Sequence, residues 1–363
     1  MAEVEELATQ FAYEFLRRGQ YSASSGAVDM PSMAMAAASN GRFTAELPPN
    51  LGGFSGLAVQ SVGFEVATED PKVHIYLTRG SMKQIRALPL EVDGVKIRVH
   101  KIGAVSVRPE AAAGSTNRGN IYERGTRICC GSSCGPTSEM SSGTIGAIVR
   151  IGLHAELYIL SNNHVLAGCN HVPHNQPILA PSSMDGRPDA MAPHEIARHH
   201  RIHELRSGDP HFVNPCDTDL ALARVSNDAG VSSWQGDSTT GYDTPGISTA
   251  PKSLMAVKKT GRTTGLTFGT VEAKITTPIP ISYTSKNFKG VVWFKDVWTV
   301  RASKSSLIAL SGDSGSLVVT EDGTAAVGVL FAANPAGDYG FIIPMSCAQN
   351  SFGGLSLVSG HGV

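Results

Sequence analysis

The chain has 363 residues, of which 41% are hydrophobic and 17% charged, so it can form about two domains with buried cores. Its 30 Lys and Arg against 31 Asp and Glu give a net charge of -1, which argues against nucleic acid as a partner because phosphate binding needs a basic surface. No stretch approaches the roughly 20 apolar residues of a membrane span, so we expect no membrane partner. The 39 Gly and 20 Pro, among many short Val, Ile, Thr and Leu runs, favour a mainly β fold.

Residues 1–20 predict an amphipathic helix, because Val4, Leu7, Phe11 and Phe15 recur at helical spacing. The segment opens with glutamates, where an export signal would carry basic residues before an apolar run. We therefore expect a cytoplasmic protein. In that compartment its six cysteines stay reduced.

The next part of the chain predicts a small folded unit between two linkers. Residues 21–56 are rich in Ser, Ala, Met and Gly without a period, and 111–140 are rich in Gly, Ser and Cys; both are typical of linkers. Between them, residues 57–110 predict a small α/β accessory domain. Its predicted elements are strands at 61–67 and 72–77, a short helix at 80–88, and a strand at 96–105 after the turn Asp93–Gly94.

Residues 141–355 alternate short apolar strands with turns and contain no alternating helices, which predicts a barrel or sandwich rather than βαβ units. Residues 356–363 are interpreted as a tail. The predicted strands are GTIGAIVRI, LYILSNNHV, DLALARV, LMAVKK, FGTVEAKI, VVWFKDVWTV, SLVVT, AAVGVLFAA and YGFIIPM.

Three segments of this region together carry the residue types of nucleophilic catalysis. They are SNNHVLAG around His164, DTDLALARV around Asp219 and SGDSGSLV around Ser314. A serine hydroxyl needs a neutral imidazole to take its proton, and the imidazole needs a carboxylate to fix its tautomer. We predict Asp219 for the carboxylate because it directly precedes an apolar strand, with Asp217 as the alternative.

The glycines around Ser314 indicate a tight turn. Such a turn can aim consecutive backbone N–H groups at one point, so the N–H groups of Gly312 and Ser314 are predicted to form an oxyanion hole.

These motifs resemble those of the trypsin/chymotrypsin-like serine peptidases. The matching segments are Asn163-His164-Val165, Asp219-Leu220-Ala221-Leu222 and Gly312-Asp313-Ser314-Gly315-Ser316, in the order His, Asp, Ser. The resemblance covers roughly residues 141–350. It implies two six-stranded antiparallel β-barrels, a triad at their interface, and a serine endopeptidase that works through an acyl-enzyme on protein or peptide substrates.

More narrowly, the segment VKKTGRTTGLTFGTV (257–271) and the small preceding domain resemble the intracellular bacterial trypsin-like proteases and the plant narrow-leaf protease. That likeness implies cleavage of a specific partner protein inside the cell, with a possible role in antiviral defence. A regulatory partner is also compatible with it. We expect the N-terminal part to dock on the protease domain with a modest inhibitory effect.

The sequence departs from the family pattern at two places. No cysteine follows His164, which is consistent with a reducing compartment. The free N-terminus that activates digestive members is not evident, so Asp313 needs another partner.

The resemblance also suggests a substrate pocket. The position six residues before the nucleophile is Ile308, and the matching wall strand carries Ala332 and Ala333, which predicts a preference for an apolar or small residue before the cut. Asp338 is the alternative, because it would select a basic residue.

We predict no cofactor and no metal. The histidine-rich segment 194–212 is interpreted as a polar loop. Its spacings match no zinc signature, and the group Cys169, His171 and His174 is a similarly weak metal candidate. The cysteines at 129, 130 and 134 are interpreted as structural or linker residues, with a redox or metal role as the alternative. The rival to an enzyme is a non-catalytic module that uses this fold to bind or regulate a partner.

Overall fold

The computed structural model of the chain describes residues 2–17, 20–23, 26–27, 57–107, 119–186, 192–209 and 212–363. Most of the predicted first linker and the start of the second therefore lie outside the described residues. In the described ranges, no helix has both the length and the apolar character that a membrane crossing requires.

The N-terminal region contains two helices and seven strands among its described residues. In chain order these are α1 (Ala2–Arg17), β1 (Ser22–Ala23), β2 (Gly26–Ala27), β3 (Ala58–Phe64), β4 (Val73–Arg79), α2 (Met82–Arg86), β5 (Glu91–Val92), β6 (Val95–Lys101) and β7 (Ser106–Val107).

Helix α1 and the α/β unit occupy the positions at which the sequence predicts them, and they share one core. The apolar face of α1 is buried, with Phe11 and Phe15 each 1% exposed, and it packs on the apolar side chains of β3 and β4. Strand β4 lies parallel to β6, and β5 and β6 form a hairpin. Its turn is the predicted Asp93–Gly94, where both residues have positive φ angles of 50° and 81°.

The first large β region follows residue 119. Its elements are β8 (Glu123–Arg124), β9 (Arg127–Cys130), β10 (Ser133–Pro136), β11 (Gly143–Thr144), β12 (Ala147–Ile151), β13 (Tyr158–Ser161), α3 (Asn163–Leu166), β14 (Pro177–Ala180), β15 (His194–Ile202), β16 (Ala221–Val225), a 3₁₀ turn (Asp228–Gly230), β17 (Val231–Gln235) and β18 (Tyr242–Asp243).

The second large β region completes the chain. Its elements are β19 (Ala256–Gly261), β20 (Gly265–Ile275), β21 (Ile279–Thr284), β22 (Lys289–Phe294), β23 (Trp298–Ala302), β24 (Leu317–Thr320), β25 (Ala326–Ala333), β26 (Tyr339–Pro344), α4 (Met345–Ser351) and β27 (Leu355–Leu357).

The fold is mainly β, as predicted, and the second region is a closed six-stranded barrel. Its strands pair in the order β19-β24-β25-β26-β23-β20, and β19 pairs back to β20. The first region differs from the expected closed barrel, because its strands form an open sheet in the order β11-β10-β14-β15-β16-β13-β12-β27. The β11 edge is turned toward the other region, where the Thr144 backbone N–H donates to the Ser314 carbonyl at 2.9 Å.

Three predicted boundaries differ from the structure. Residues 119–140 are not a linker, because β8, β9 and β10 lie there and the side chains of Cys130 and Cys134 are buried in the first core. The predicted tail begins inside β27, which pairs with β12. The accessory unit is joined to the barrel sheet, because β3 pairs with β20. Small Gly, Ser and Cys residues suit closely packed strands as well as linkers, and composition alone does not separate the two.

Candidate active site

His164 and Asp219 are brought together by two neighbouring strands of the first sheet. Strands β13 and β16 pair with Ser161 opposite Ala221, so the residues just beyond those two ends meet. His164 Nδ1 lies 2.5 Å from Asp219 Oδ2, and the His164 backbone N–H donates to Asp219 Oδ1 at 3.2 Å. The Asp219 side chain is fully buried and that of His164 is 10% exposed. The carboxylate therefore holds Nδ1 as the donor, which leaves the lone pair on Nε2.

Tyr283 also bonds to the catalytic carboxylate. Its hydroxyl donates to Asp219 Oδ2 at 2.8 Å, and its ring meets the His164 ring edge-on at 5.8 Å between centroids. Burial raises the pKa of Tyr283 well above its ordinary value, and the negative charge of Asp219 raises it further. The phenol therefore stays protonated and acts as a permanent donor to Asp219.

Ser314 lies in a tight turn that precedes β24. The glycines on either side of this turn, Gly312 and Gly315, have φ angles of +93° and +96°, a region that disfavours any side chain. Ser314 Oγ donates to the Phe331 carbonyl at 3.4 Å. His164 and Ser314 line one cavity of about 190 Å³. The structure therefore places the three predicted catalytic residues around one site.

The predicted oxyanion hole has its backbone donors available. Among the described residues, the N–H groups of Gly312 and Ser314 have no protein acceptor, whereas that of Asp313 donates to the Leu310 carbonyl at 3.0 Å. Thr263 Oγ1 donates to the Ser311 carbonyl at 2.7 Å, and Ser316 Oγ donates to the Asp313 carbonyl at 2.6 Å.

These two bonds orient the peptide groups that carry the hole. In a trans peptide the N–H points away from the C=O. Fixing the carbonyls of Ser311 and Asp313 therefore directs the N–H groups of Gly312 and Ser314 to the opposite side. Sequence reasoning missed the role of Thr263, which lies about 50 residues before the turn that it holds.

Asp313 has the partner that the sequence left unassigned. Lys259 Nζ lies 3.3 Å from Asp313 Oδ2, and both side chains are fully buried. Burial lowers the pKa of Lys259, and the negative charge of Asp313 opposes that decrease. The Asp313 carboxylate also accepts from the backbone N–H groups of Thr263, Thr264 and Leu310 and from the Thr264 hydroxyl, at 2.7–3.1 Å. The turn before Ser314 is thus tied to segment 259–264.

The same segment contributes a second buried ion pair. Arg262 Nη2 lies 2.6 Å from Asp185 Oδ1, and the two side chains are 3% and 1% exposed. Burial alone would raise the pKa of Asp185, but the bonds from Arg262, Ser133 and Gly119 hold it well below its usual range. This pair joins the two β regions, because Arg262 follows β19 while Asp185 follows β14.

The predicted pocket residues lie apart from the cavity that holds His164 and Ser314. Ile308 is 1% exposed and packs in the barrel core beside Val257 and Leu330. Ala332 is 4% exposed and packs in the core around Phe331, and Ala333 lies at the end of β25. None of the three lines the cavity. The pocket for the residue before the cut stays a prediction.

The two alternative aspartates have other partners. Asp217 forms an ion pair with Lys295 at 2.8 Å, and its side chain is 46% exposed. It is Asp219 that bonds to His164. Asp338 Oδ1 accepts from Asn334 Nδ2 at 2.8 Å and is not among the residues that line the catalytic cavity.

The histidine- and cysteine-rich segments are largely built into the sheets. Residues 194–202 form strand β15, so the interpretation of 194–212 as a loop is wrong over this part. All six cysteines are unpaired thiols, and burial raises the pKa of Cys129 to about 11. The pKa values of Cys130 and Cys134 are raised further by complete burial. Such thiols are poor nucleophiles.

One other cluster brings together His74, His100 and Glu272, where the accessory strands meet the barrel. His74 Nδ1 and His100 Nε2 are 2.8 Å apart, with an interplanar angle of 4° and centroids 5.1 Å apart. The rings therefore lie edge to edge in one plane, with the two nitrogens facing each other. This is the geometry of an N–H···N hydrogen bond, since metal ligands would direct both lone pairs at a third point.

The comparisons with known proteins concern the fold. No protein-family model matches the chain, and no curated protein matches it. Among solved structures it is similar to Thermobifida fusca protease A, at 18% identity over 64% of this chain and 98% of that one, with a TM-score of 0.41. Nocardiopsis protease is similar at 17% identity over 63% and 97%, with a TM-score of 0.43. A glutamic acid-specific serine protease is similar at 17% identity over 64% and 100%, with a TM-score of 0.41.

Proposed function

We propose that the protein is a serine endopeptidase that hydrolyses peptide bonds through an acyl-enzyme. The observation that carries the proposal is the Asp219–His164 pair at 2.5 Å, which opens onto the same cavity as Ser314. The N–H groups of Gly312 and Ser314, which have no acceptor in the described part of the chain, supply the second requirement, which is stabilisation of an oxyanion.

In the proposed reaction, His164 Nε2 takes the proton of Ser314 Oγ as this oxygen attacks the substrate carbonyl carbon. The carbonyl oxygen becomes an oxyanion that accepts from the N–H groups of Gly312 and Ser314. His164 then gives the proton to the leaving nitrogen, the peptide bond breaks, and an ester on Ser314 remains. A water molecule repeats the sequence, which releases the acid and restores the Ser314 hydroxyl.

Asp219 supports these steps without exchanging a proton. It fixes the His164 tautomer and stabilises the imidazolium that forms in each half of the reaction. Tyr283 donates to the same carboxylate from a buried position.

The resting arrangement still requires one movement. Ser314 Oγ bonds to the Phe331 carbonyl, and within the described ranges His164 Nε2 has no partner. Contacts between nucleophile and base are often looser in free enzymes than in substrate complexes. We expect the Ser314 hydroxyl to turn to His164 when a substrate fills the cavity.

The physiological substrate that we propose is a partner protein inside the cell, in a defence pathway. The free cysteines support a reducing compartment. The N-terminal region contributes to the site, because Val107 lines the catalytic cavity.

The second candidate is a non-catalytic binding or regulatory module. The observation that favours it is the hydrogen bond from Ser314 Oγ to the Phe331 carbonyl, because a serine that is never activated would also donate to a backbone carbonyl.

A fluorophosphonate probe separates the two, since only an activated serine reacts with it. The enzyme predicts labelling of the full chain at Ser314 and no labelling of Ser314→Ala, with turnover of a casein substrate reduced on the order of 10^6-fold in that variant. Ser306→Ala is the matched control, because this exposed serine lies outside the cavity and is expected to leave labelling intact. Absence of labelling in the native chain, or equal labelling of Ser314→Ala, would reject the endopeptidase.

A further inference from the structure

The catalytic cavity extends away from the residues predicted to bind the substrate before the cut. Its walls come from the loop before β11, from the turn after α3, from the β21–β22 hairpin and from the end of β7. The lining residues used below are Val107, Met140, Cys169, Tyr283, His164 and Ser314.

The position of His164 indicates which half of a substrate would enter. A peptide that reaches Ser314 has an acyl side, which stays on the serine, and a leaving side, whose nitrogen receives the proton from His164. The cavity is bounded by His164, Gly312 and Ser314, but by no residue of β25, whose Phe331 carbonyl contacts Ser314 Oγ. The leaving side of the peptide is therefore the part that lies over it.

Val107, Met140, Cys169 and Tyr283 form the apolar part of the cavity wall, and Lys286 and several serine and threonine side chains form the rest. Val107, Cys169 and Tyr283 are buried, whereas Met140 is 68% exposed. Glu139 also lines the cavity, but its carboxylate accepts from Asn287 Nδ2 at 3.0 Å and is thereby engaged.

We propose that this cavity receives the side chain of the residue that follows the scissile bond, and that it selects a large apolar one. The proposal rests on the endopeptidase function proposed above. A cavity of about 190 Å³ has room for one large side chain.

The N-terminal region takes part in building this subsite. Strand β7 pairs in parallel with β21, with Ser106 opposite Ser282 and Val107 opposite Tyr283. Val107 of the accessory unit thus forms one wall of the cavity, and Tyr283, which donates to Asp219, forms the adjacent wall. The same hairpin fixes the catalytic carboxylate and shapes the space for the leaving group.

Acyl transfer measures this subsite independently of the acyl-side preference. The full chain is acylated with p-nitrophenyl acetate, which carries no amino acid side chain, and amino acid amides then compete with water for the ester on Ser314. The amine nitrogen attacks the acetyl carbon and gives its proton to His164, and Ser314 Oγ leaves with that proton. The yield of each N-acetyl amino acid amide relative to acetate, measured by mass spectrometry, reports binding on the leaving side.

We expect leucinamide and methioninamide to exceed glycinamide about tenfold in this ratio, as an apolar side chain gains by burial. We expect lysinamide and aspartamide to stay near glycinamide. Met140→Ala is expected to reduce the preference about threefold, because one apolar wall is shortened. Leu153→Ala is the matched control, since Leu153 is an exposed apolar residue outside the cavity and is expected to leave the ratio unchanged.

The outcomes distinguish a failure of the subsite proposal from a failure of the endopeptidase proposal. A burst of p-nitrophenol with equal partitioning among all amides overturns the subsite and leaves the endopeptidase standing. A preference for lysinamide or aspartamide, or a preference that Met140→Ala and Leu153→Ala change equally, overturns the apolar assignment. If Ser314 does not form an acyl-enzyme at all, both proposals fail.

Discussion

Tyr283→Phe removes a single hydroxyl from a side chain that is 1% exposed, without changing the shape of the buried ring. Asp219 accepts from the His164 ring, from the His164 backbone N–H and from the Tyr283 hydroxyl, which donates at 2.8 Å. We therefore expect the substitution to leave the carboxylate in place with one donor fewer.

The magnitude follows from the type of bond. A hydrogen bond to a charged group contributes about 1.5–3 kcal/mol. If the loss falls on the transition state, kcat/KM decreases between about tenfold and about a hundredfold, since 1.36 kcal/mol corresponds to a factor of ten.

Tyr76→Phe provides the matched control. Tyr76 is also fully buried, and its hydroxyl donates to a carboxylate oxygen of Glu272 at 2.7 Å, away from the catalytic cavity. Both variants are expected to lose about 1–3 kcal/mol of unfolding free energy, measured by urea denaturation. Only Tyr283→Phe is expected to slow peptide hydrolysis and fluorophosphonate labelling. If it retains kcat/KM within about twofold of the native value, or if both variants slow equally, the assigned role of Tyr283 is refuted.

Four further predictions follow from the site. Asp219→Asn should reduce kcat about 10^4-fold, the value recorded for the corresponding change in a chymotrypsin-like triad, whereas Asp217→Asn should leave steady-state kinetics nearly unchanged. The rate of peptide hydrolysis should rise with pH in a single step, because only neutral His164 accepts the serine proton, and a profile flat from about pH 5 to 8 would contradict it. Lys259→Met should cost about 3–5 kcal/mol by leaving the buried Asp313 charge unpaired, and adding Asp313→Asn should recover part of this loss in thermal unfolding. The pKa of Asp185 is lowered in the folded protein, so the stabilisation that its charge contributes is present at neutral pH and is lost as pH falls below about 4. Arg262→Met should remove this stabilisation, and equal acid stability of the native chain and the variant would contradict the prediction.

The sequence by itself determined the mainly β class and predicted a triad. Apolar strands separated by turns predict β structure, and three short segments in the order His, Asp, Ser carry the residue types of nucleophilic catalysis. Motifs of this kind can be recognised in a sequence because a catalytic group needs a particular residue type in a particular local setting. An example is the turn around Ser314, where the glycines on both sides have positive φ angles. The α1 helix and the Asp93–Gly94 turn were predictable for the same reason, since helical periodicity and hairpin turns are local.

The partners of these groups were decided only by the tertiary structure. Tyr283 lies 64 residues from Asp219, and Lys259 lies in β19 whereas Asp313 lies in the turn before β24, so no spacing relates them. Composition predicted a linker at 119–140, where the structure has buried strands of small residues. Gly and Ser are common both in closely packed strands and in flexible linkers, so composition does not distinguish the two. A buried charge requires a counter-charge or donors from whichever element the fold brings beside it. The sequence showed that Asp313 needs a counter-charge. Only the tertiary structure showed that Lys259 provides it, because the pairing of β19 with β24 brings the two side chains together.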